Sequence, residues 1–368
     1  MNFPKPSYSA RSGTKLEKAR RPAWHESGPV ANPMTRYSRY ASFRPSWTPK
    51  WGNFGCVVEA EDGTLGFALA NYGRPVAAII DDYLGPRLIG ENCMAIEKCY
   101  DMMVRMGSPF GSTGLHSYAV SAIDLALWDL KGRLLDQPVW KLLGGAHRKR
   151  IRVYANGWYT NPGTPKQNAE EAKVVVDMGY TALKFDPFAQ ENFYKISLEE
   201  AQIAEERVAA VRKAVGPNID ILVEAHAKFN VMNAIQLGKR MEQYRPLFYE
   251  EPVSQERVSE LIEVRRSVNI PIATGERLYT KFPFAEIIEK HAADVLQPDI
   301  ANAGGITELK KIAAIAEAKH ITMAPHNVCS PVGAMAEIQL DATLINFEIQ
   351  EYHAEFYTGH YFTVLDGL

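Results

Sequence analysis

After Gly145 the chain settles into one repeating texture, a short β-rich run followed by an amphipathic helical stretch, and this alternation constrains the fold more than any other feature. The runs are "RVYAN" (152–156), "ALKFD" (182–186), "DILVEAH" (220–226), "LFYEE" (247–251), "PIATGE" (271–276), "DVLQPD" (294–299), "ITMAPH" (321–326) and "FEIQE" (347–351). Between them lie helical patterns such as "AEERVAAVRKAV" and "ELKKIAAIAEAK". Strands alternating with helices are the βα units of a parallel sheet, and eight such runs favour a closed α/β barrel. Sites in such barrels lie at the C-terminal ends of the strands, so polar residues that finish strands are the ones to follow.

The first 150 residues read differently. Residues 51–70, "WGNFGCVVEAEDGTLGFALA", predict two strands around the turn Glu61-Asp62-Gly63, because β-rich runs bracket an Asp-Gly pair. Helical spacing follows in "AAIIDDYLGPRLIG", "AIEKCYDMMVRMG" and "SYAVSAIDLALWDLKGRLLDQPVWKLLGG", with stops at Gly90, Gly107 and Gly144-Gly145. The expected organisation is an α+β domain over 1–150, a barrel over 151–351 and a C-terminal segment over 352–368. Asp124 and Asp129 in the last helical stretch are assigned to capping or packing.

A formal charge of −2, from 41 basic and 43 acidic residues, gives no electrostatic reason to expect nucleic acid or an anionic membrane as partner, so a small molecule is the default ligand. Four cysteines (Cys56, Cys93, Cys99, Cys329) match neither a metal motif nor a disulfide framework and read as reduced thiols of a cytoplasmic protein. No apolar stretch has the length of a membrane span, and the start "MNFPKPSYSARSGTKLEKARRP" lacks a signal-peptide core. That basic, Ser/Arg-containing start resembles an organelle transit peptide weakly and is read in preference as a mobile or ligand-covering arm.

Three successive strands finish on glutamates: Glu224, Glu250 and Glu276, separated by 26 residues and again by 26. One βα unit per interval sets them at one height around the barrel mouth, where three carboxylates repel unless a positive charge sits among them. An all-oxygen set of this kind suits a hard divalent cation, Mg²⁺ before Mn²⁺. His226, two residues beyond Glu224, is expected on the same strand face, about 6.5 Å away. Asp299 and His326 finish the next two strands, within reach of one another; a carboxylate on one ring nitrogen prepares a histidine as general base near neutral pH, with a purely structural hydrogen bond as the alternative. Glu351 adds a fourth carboxylate, with Glu348 competing for the role. Lys184 and Asp186 share a face of the second strand and are candidates for binding substrate, Lys184 offering charge to an anionic substrate unless it is a packed barrel lysine. Such a cation can take a substrate carboxylate and stabilise the charge formed when the adjacent C–H is deprotonated. With His326 as base and His226 as acid, the result is either return of a proton to the same carbon or loss of a hydroxyl from the next.

Together "VEAH", "YEEPV", "GER", "QPD", "PHN" and "EIQE" resemble the enolase superfamily in its mandelate-racemase-like subgroup, in order and at its strand ends, over most of the chain. The resemblance implies a modified TIM barrel, (β/α)7β, with an N-terminal α+β capping domain. Within the subgroup the pattern is most similar to galactonate dehydratase and related rhamnonate- and lyxonate-type acid-sugar dehydratases. It implies Glu224, Glu250 and Glu276 as ligands of one Mg²⁺ per subunit, His326 and Asp299 as the basic dyad, His226 as the acid, and Glu351 bonding the substrate carboxylate. It also implies a homo-oligomer, often of eight subunits. Two departures stand out: Glu224 replaces the shorter aspartate, and "LKFDP" puts Asp186 where two-base racemases carry a second-strand base. Residues 23–40, "AWHESGPVANPMTRYSRY", resemble the N-terminal loop of rhamnonate dehydratases, making His25 and Arg36 candidates for the distal hydroxyls. The sequence stops at "VLDGL", before the glycine-containing tail that usually completes the capping domain, and 352–368 is expected to return toward that domain.

The expected reaction is Mg²⁺-dependent dehydration of an aldonate to a 2-keto-3-deoxy acid. An epimerase, racemase or cycloisomerase of a 2-hydroxy acid is the alternative within the superfamily. Schiff-base chemistry on Lys184 and a non-catalytic barrel are the alternatives outside it.

Overall fold

The computed structural model describes residues 51–353 apart from 162, 189–195 and 329. His25, Arg36, Cys329 and residues 354–368 lie outside the described residues. The chain starts its described part with the expected hairpin: β1 (Phe54–Glu59) pairs antiparallel with β2 (Leu65–Ala70). Its turn closes on itself, since Gly63 N donates to Ala60 O at 2.9 Å and Thr64 N to Asp62 Oδ1 at 2.9 Å. Gly63 takes φ +83°, a conformation open to glycine without a Cβ penalty.

Helices α1 (Gly73–Ala78) and α2 (Gly85–Leu88) are joined by a π-helical turn, Ile79–Leu84, and followed by α3 (Ile96–Gly107), α4 (Leu115–Leu134) and α5 (Val139–Leu142). The helical run from 117 to 145 is thus broken in two. Asp136 adopts φ +48°, and Pro138, which lacks an N–H, precedes the new helix rather than continuing the old one. Helix α4 is apolar nearly all round, with Ala119, Val120, Ile123, Ala126 and Leu127 buried, because β1–β2 covers one side and the barrel the other.

The barrel runs β3 (Val153–Asn156), α6 (Pro165–Asp177), β4 (Ala182–Phe185), α7 (Leu198–Val215), β5 (Asp220–Glu224), α8 (Val231–Met241), β6 (Tyr249–Glu250), α9 (Val258–Ser267), β7 (Ile272–Thr274), α10 (Lys281–Glu289), β8 (Val295–Leu296), α11 (Gly305–Glu317), β9 (Thr322–Met323), α12 (Pro331–Asp341) and β10 (Gln350–His353). All eight strands are parallel, in the order β10-β3-β4-β5-β6-β7-β8-β9. The ring closes where Met323 bridges Phe347: Met323 N donates to Asn346 O at 2.9 Å and Glu348 N to Met323 O at 2.8 Å. This is a (β/α)7β barrel with an α+β cap, the fold class the strand alternation and the family resemblance predict.

Inside the ring Tyr154, Leu222, Phe248, Ala273, Val295, Ala324 and Ile349 pack into a small closed core, while the larger apolar cluster fills the layer between strands and helices. Ladders are shorter than the β-rich runs because strongly twisted barrel strands diverge toward the mouth. Past the ladders, single backbone bridges persist at Asp299↔His326 and Phe229↔Val253.

The cap is fixed to the barrel through the start of α11. Gly304 N donates to Ser121 Oγ at 3.0 Å, Thr307 N to Asp124 Oδ2 at 3.1 Å, and Trp128 Nε1 to Thr307 Oγ1 at 2.9 Å. Asp124 thus satisfies an otherwise orphaned helix-start donor, and Asp129 accepts from Phe67 N at 2.9 Å. Both are structural, as read from the sequence. Among the described residues no helix is long and apolar enough to cross a membrane.

Candidate metal and acid–base site

Register brings the three glutamates together. Glu224 and Glu250 are direct partners across β5 and β6, and Glu276 follows β7 by two residues, raised over the rim at Gly275. Each offers an oxygen within 4.8 Å of the others. Glu224 and Glu250 are fully buried and Glu276 nearly so. Burial and the neighbouring Glu250 push the Glu224 carboxyl well above its ordinary range, the signature of like charges crowded together. Burial opposes charge on Glu276 as well, yet His326 and Arg277 outweigh it and hold that carboxyl far below the usual range. An all-oxygen, partly uncompensated set of this size fits a hard divalent cation.

Lys184, on β4, points into the same cluster. Its Nζ lies 2.8 Å and 2.9 Å from the two oxygens of Glu250, 3.3 Å from Glu224 Oε2 and 3.2 Å from Glu351 Oε1. Burial alone would discharge the amine, but Glu250 and Glu351 keep it protonated, the form that cannot add to a carbonyl. The Schiff-base alternative therefore has no support in this geometry.

Asp186 also lies inside, its carboxylate fully shielded from solvent. It receives Lys228 Nζ at 2.8 Å, His226 Nδ1 at 2.9 Å and Phe188 N at 2.9 Å. Lys184 and Asp186 are both engaged in internal ion pairs, as buried as Glu224, Glu250 and Glu351 beside them.

His226 reaches the site by a different route from the one the strand pattern predicts. The ladder ends at Glu224; His226 and Ala227 take φ +48° and +57°, and His226 N donates back to Glu224 Oε1 at 2.5 Å. The histidine therefore sits on a turn at the rim rather than on the strand face. Its ring is 21% exposed, with Nδ1 on Asp186. Burial lowers its pKa, only partly offset by Asp186.

Opposite, Asp299 Oδ2 accepts from His326 Nδ1 at 2.7 Å, while His326 Nε2 lies 3.2 Å from Glu276 Oε2 and 3.8 Å from Glu351 Oε2. Burial disfavours the imidazolium, but Glu276 and Glu351 together with Asp299 push its pKa up to about 10. Both imidazoles help to hold the Glu276 carboxyl below the usual range, His326 more than His226.

Glu351, not the half-buried Glu348, occupies the mouth. Asn156 Nδ2 donates to its Oε1 at 2.5 Å and Asn327 N to its Oε2 at 3.0 Å. Burial opposes its charge, but Lys184 and His326 keep it ionised. As an ionised carboxylate it accepts hydrogen bonds and donates none.

Sequence reasoning missed Lys228, Asn156, Asn327 and the pair Arg277–Glu251, at 2.7 Å, behind Glu276. Lys228 could have been suspected from its place between Ala227 and Phe229, and Asn327 from its adjacency to His326; the other two have no local signal.

Two family models cover the chain: the mandelate racemase / muconate lactonizing enzyme N-terminal domain matches residues 56–144, and the enolase C-terminal domain-like family matches 167–367. The chain belongs to the enolase superfamily. Relatives of this superfamily member include a D-gluconate dehydratase of Thermoproteus tenax, 48% identical over 224 residues, or 61% of this chain and 45% of that one. This chain thus spans about half the length of that relative. A D-xylonate dehydratase of Haloferax volcanii is 35% identical over 82% of this chain and 76% of its own. A solved structure of an enolase from Agrobacterium radiobacter, with bound sodium and L-malate, superposes with a TM-score of 0.76 at 32% identity, covering 82% of this chain and 76% of that one.

Proposed function

We propose that this enolase-superfamily member is a Mg²⁺-dependent acid-sugar dehydratase, converting an aldonate such as galactonate, rhamnonate or lyxonate to a 2-keto-3-deoxy acid. The observation that carries the reading is the presence of two imidazoles, each oriented by its own aspartate, beside the carboxylate trio Glu224, Glu250 and Glu276. A two-base racemase also uses such a pair, returning a proton to the same carbon, so the dehydratase names of the relatives are what favour elimination here. Elimination needs a base for C2–H and a separate acid for the C3 hydroxyl.

Glu224, Glu250 and Glu276 would hold one Mg²⁺. When bound, the cation supplies Lewis-acid stabilisation of negative charge on the substrate carboxylate as the α-proton leaves. His326, with Nδ1–H held by Asp299, would present Nε2 to accept the C2 proton. His226, as the imidazolium with its Nδ1–H on Asp186, gives its Nε2 proton to the departing hydroxyl, which leaves as water, and is left as the neutral Nδ1–H tautomer. Glu351 accepts from a substrate hydroxyl. His25 and Arg36 remain candidates for the distal hydroxyls, and a homo-oligomer, up to an octamer, remains part of the proposal.

The dehydratase names of the relatives and the hydroxy-dicarboxylate in the Agrobacterium enolase support the same substrate class. The test is a screen of diastereomeric aldonic and aldaric acids with Mg²⁺, scored by 2-keto acid formation. Turnover of at least one supports the reading, and C2 epimerisation without keto product across the panel replaces it with the epimerase alternative.

A further inference from the structure

Lys228 has no place in the ligand set or the acid–base pair, yet it is one of the most deeply buried charges in the chain, with 0% of its surface exposed. It lies two residues after His226 on the turn leaving β5, where its own N–H donates to Ala225 O at 3.2 Å. Its ammonium spans both oxygens of Asp186, at 3.1 Å and 2.8 Å, and donates to Phe188 O at 3.3 Å. The Phe188 ring lies beneath it, 5.4 Å from centroid to Nζ. A buried ammonium is tolerated only when paired and hydrogen-bonded, and here one carboxylate and one carbonyl do both.

The consequence lies on the other side of that carboxylate. Asp186 Oδ2 is shared by Lys228 and His226 Nδ1, and Oδ1 by Lys228 and Phe188 N. Every direction in which the carboxylate could rotate costs a hydrogen bond to a buried donor. His226 itself hangs on a left-handed turn with part of its ring in the open mouth, so its aim depends on what grips Nδ1. Nδ1–H on Asp186 leaves Nε2 as the ring nitrogen without a hydrogen bond among the described residues.

We infer that Lys228 is a positioning residue for the acid half of the reaction: by locking Asp186 it fixes the tautomer and aim of His226, and it has no part in proton removal at His326. This rests on the dehydratase reading for its catalytic meaning, but not for its structural content. Partners that orient a functional imidazole are commonly worth tenfold to a hundredfold when removed.

The experiment compares the full chain with its Lys228→Met variant, both with Mg²⁺, by ¹⁵N NMR of the imidazoles in alkaline buffer and by turnover in D₂O. Expected are a single Nδ1–H tautomer for His226 in the wild type and averaged ring shifts in the variant. The 2-keto product should fall at least tenfold in kcat with KM changed less than threefold, while deuterium still enters C2 at near the wild-type rate. Unchanged His226 shifts overturn the inference, as does a parallel loss of exchange and elimination in a variant that melts like the wild type. Should Lys228→Met not fold, the double variant Asp186→Asn, Lys228→Met removes both charges together and must show the same separation of exchange from elimination. If the wild type dehydrates no acid sugar, the proposed function falls while the NMR comparison still decides whether Lys228 sets the His226 tautomer.

Discussion

His326 Nδ1 stands 2.7 Å from Asp299 Oδ2, across a parallel backbone bridge between the same two residues. Main-chain pairing and side-chain pairing thus reinforce one another, and the imidazole is delivered to the mouth with one nitrogen already committed. His326→Asn should abolish C2 deuterium exchange and elimination together, by about 10²- to 10⁴-fold, the usual worth of a general base. Mass spectrometry of recovered substrate from D₂O checks the first and keto-acid assay the second; normal turnover in this variant would remove the dyad from the mechanism.

Mg²⁺ should stabilise the fold by mass action, because three carboxylates crowded within 4.8 Å are relieved only in the folded state. At a hundredfold excess over its Kd the ion adds about 2.7 kcal/mol. Calorimetric melting with and without Mg²⁺ should show this rise in the wild type and little of it in Glu250→Gln. An equal rise in both would place the ion elsewhere.

Gly275 sets the position of the third carboxylate, Glu276. It adopts φ +148°, and an added Cβ would meet the Gln297 backbone at 2.8 Å, so neither backbone nor neighbour can accept a side chain. Gly275→Ala should lower stability by about 1–3 kcal/mol and, by displacing Glu276, weaken Mg²⁺ binding at least tenfold. Urea unfolding and isothermal titration measure the two effects.

Asp124 gives the cap–barrel interface its own pH dependence. Burial pushes its carboxyl from 3.8 up to about 7, and the hydrogen bonds from Thr307 offset this only in part. Between these values the folded state keeps a proton that the unfolded chain has lost. Its stabilising contribution is therefore full below pH 3.8 and disappears as pH rises through about 7. Asp124→Asn keeps the acceptor for Thr307 and removes the charge, so it should be more stable than the wild type at pH 8 by about 1 kcal/mol or more, with a flatter profile from pH 5 upward. Denaturant unfolding at pH 5 and pH 8 for both proteins tests the sign.

Much of this site was legible in the sequence because strand ends convert spacing into height. Glu224 and Glu250, 26 residues apart, are register partners, and Asp299 and His326, 27 apart, share a bridge. His226 was placed at the mouth for the wrong local reason. Alternation presumes that the strand continues, whereas the chain turns left-handed once Glu224 Oε1 captures the His226 amide. For Lys184 and Asp186 a strand pattern gives a shared face but not a partner. The partners, Glu250 and Lys228, come from other strands and loops. The pairing of Asn156 with Glu351 joins the first and last strands, a contact that only barrel closure creates.

The central claim, a base and an acid acting on neighbouring carbons, is tested most directly by one comparison in D₂O with Mg²⁺ and an accepted aldonate: wild type against His226→Asn. The account predicts that the variant still exchanges the C2 proton through His326 but forms little or no 2-keto-3-deoxy acid. Keto-acid formation at the wild-type rate in His226→Asn would contradict it.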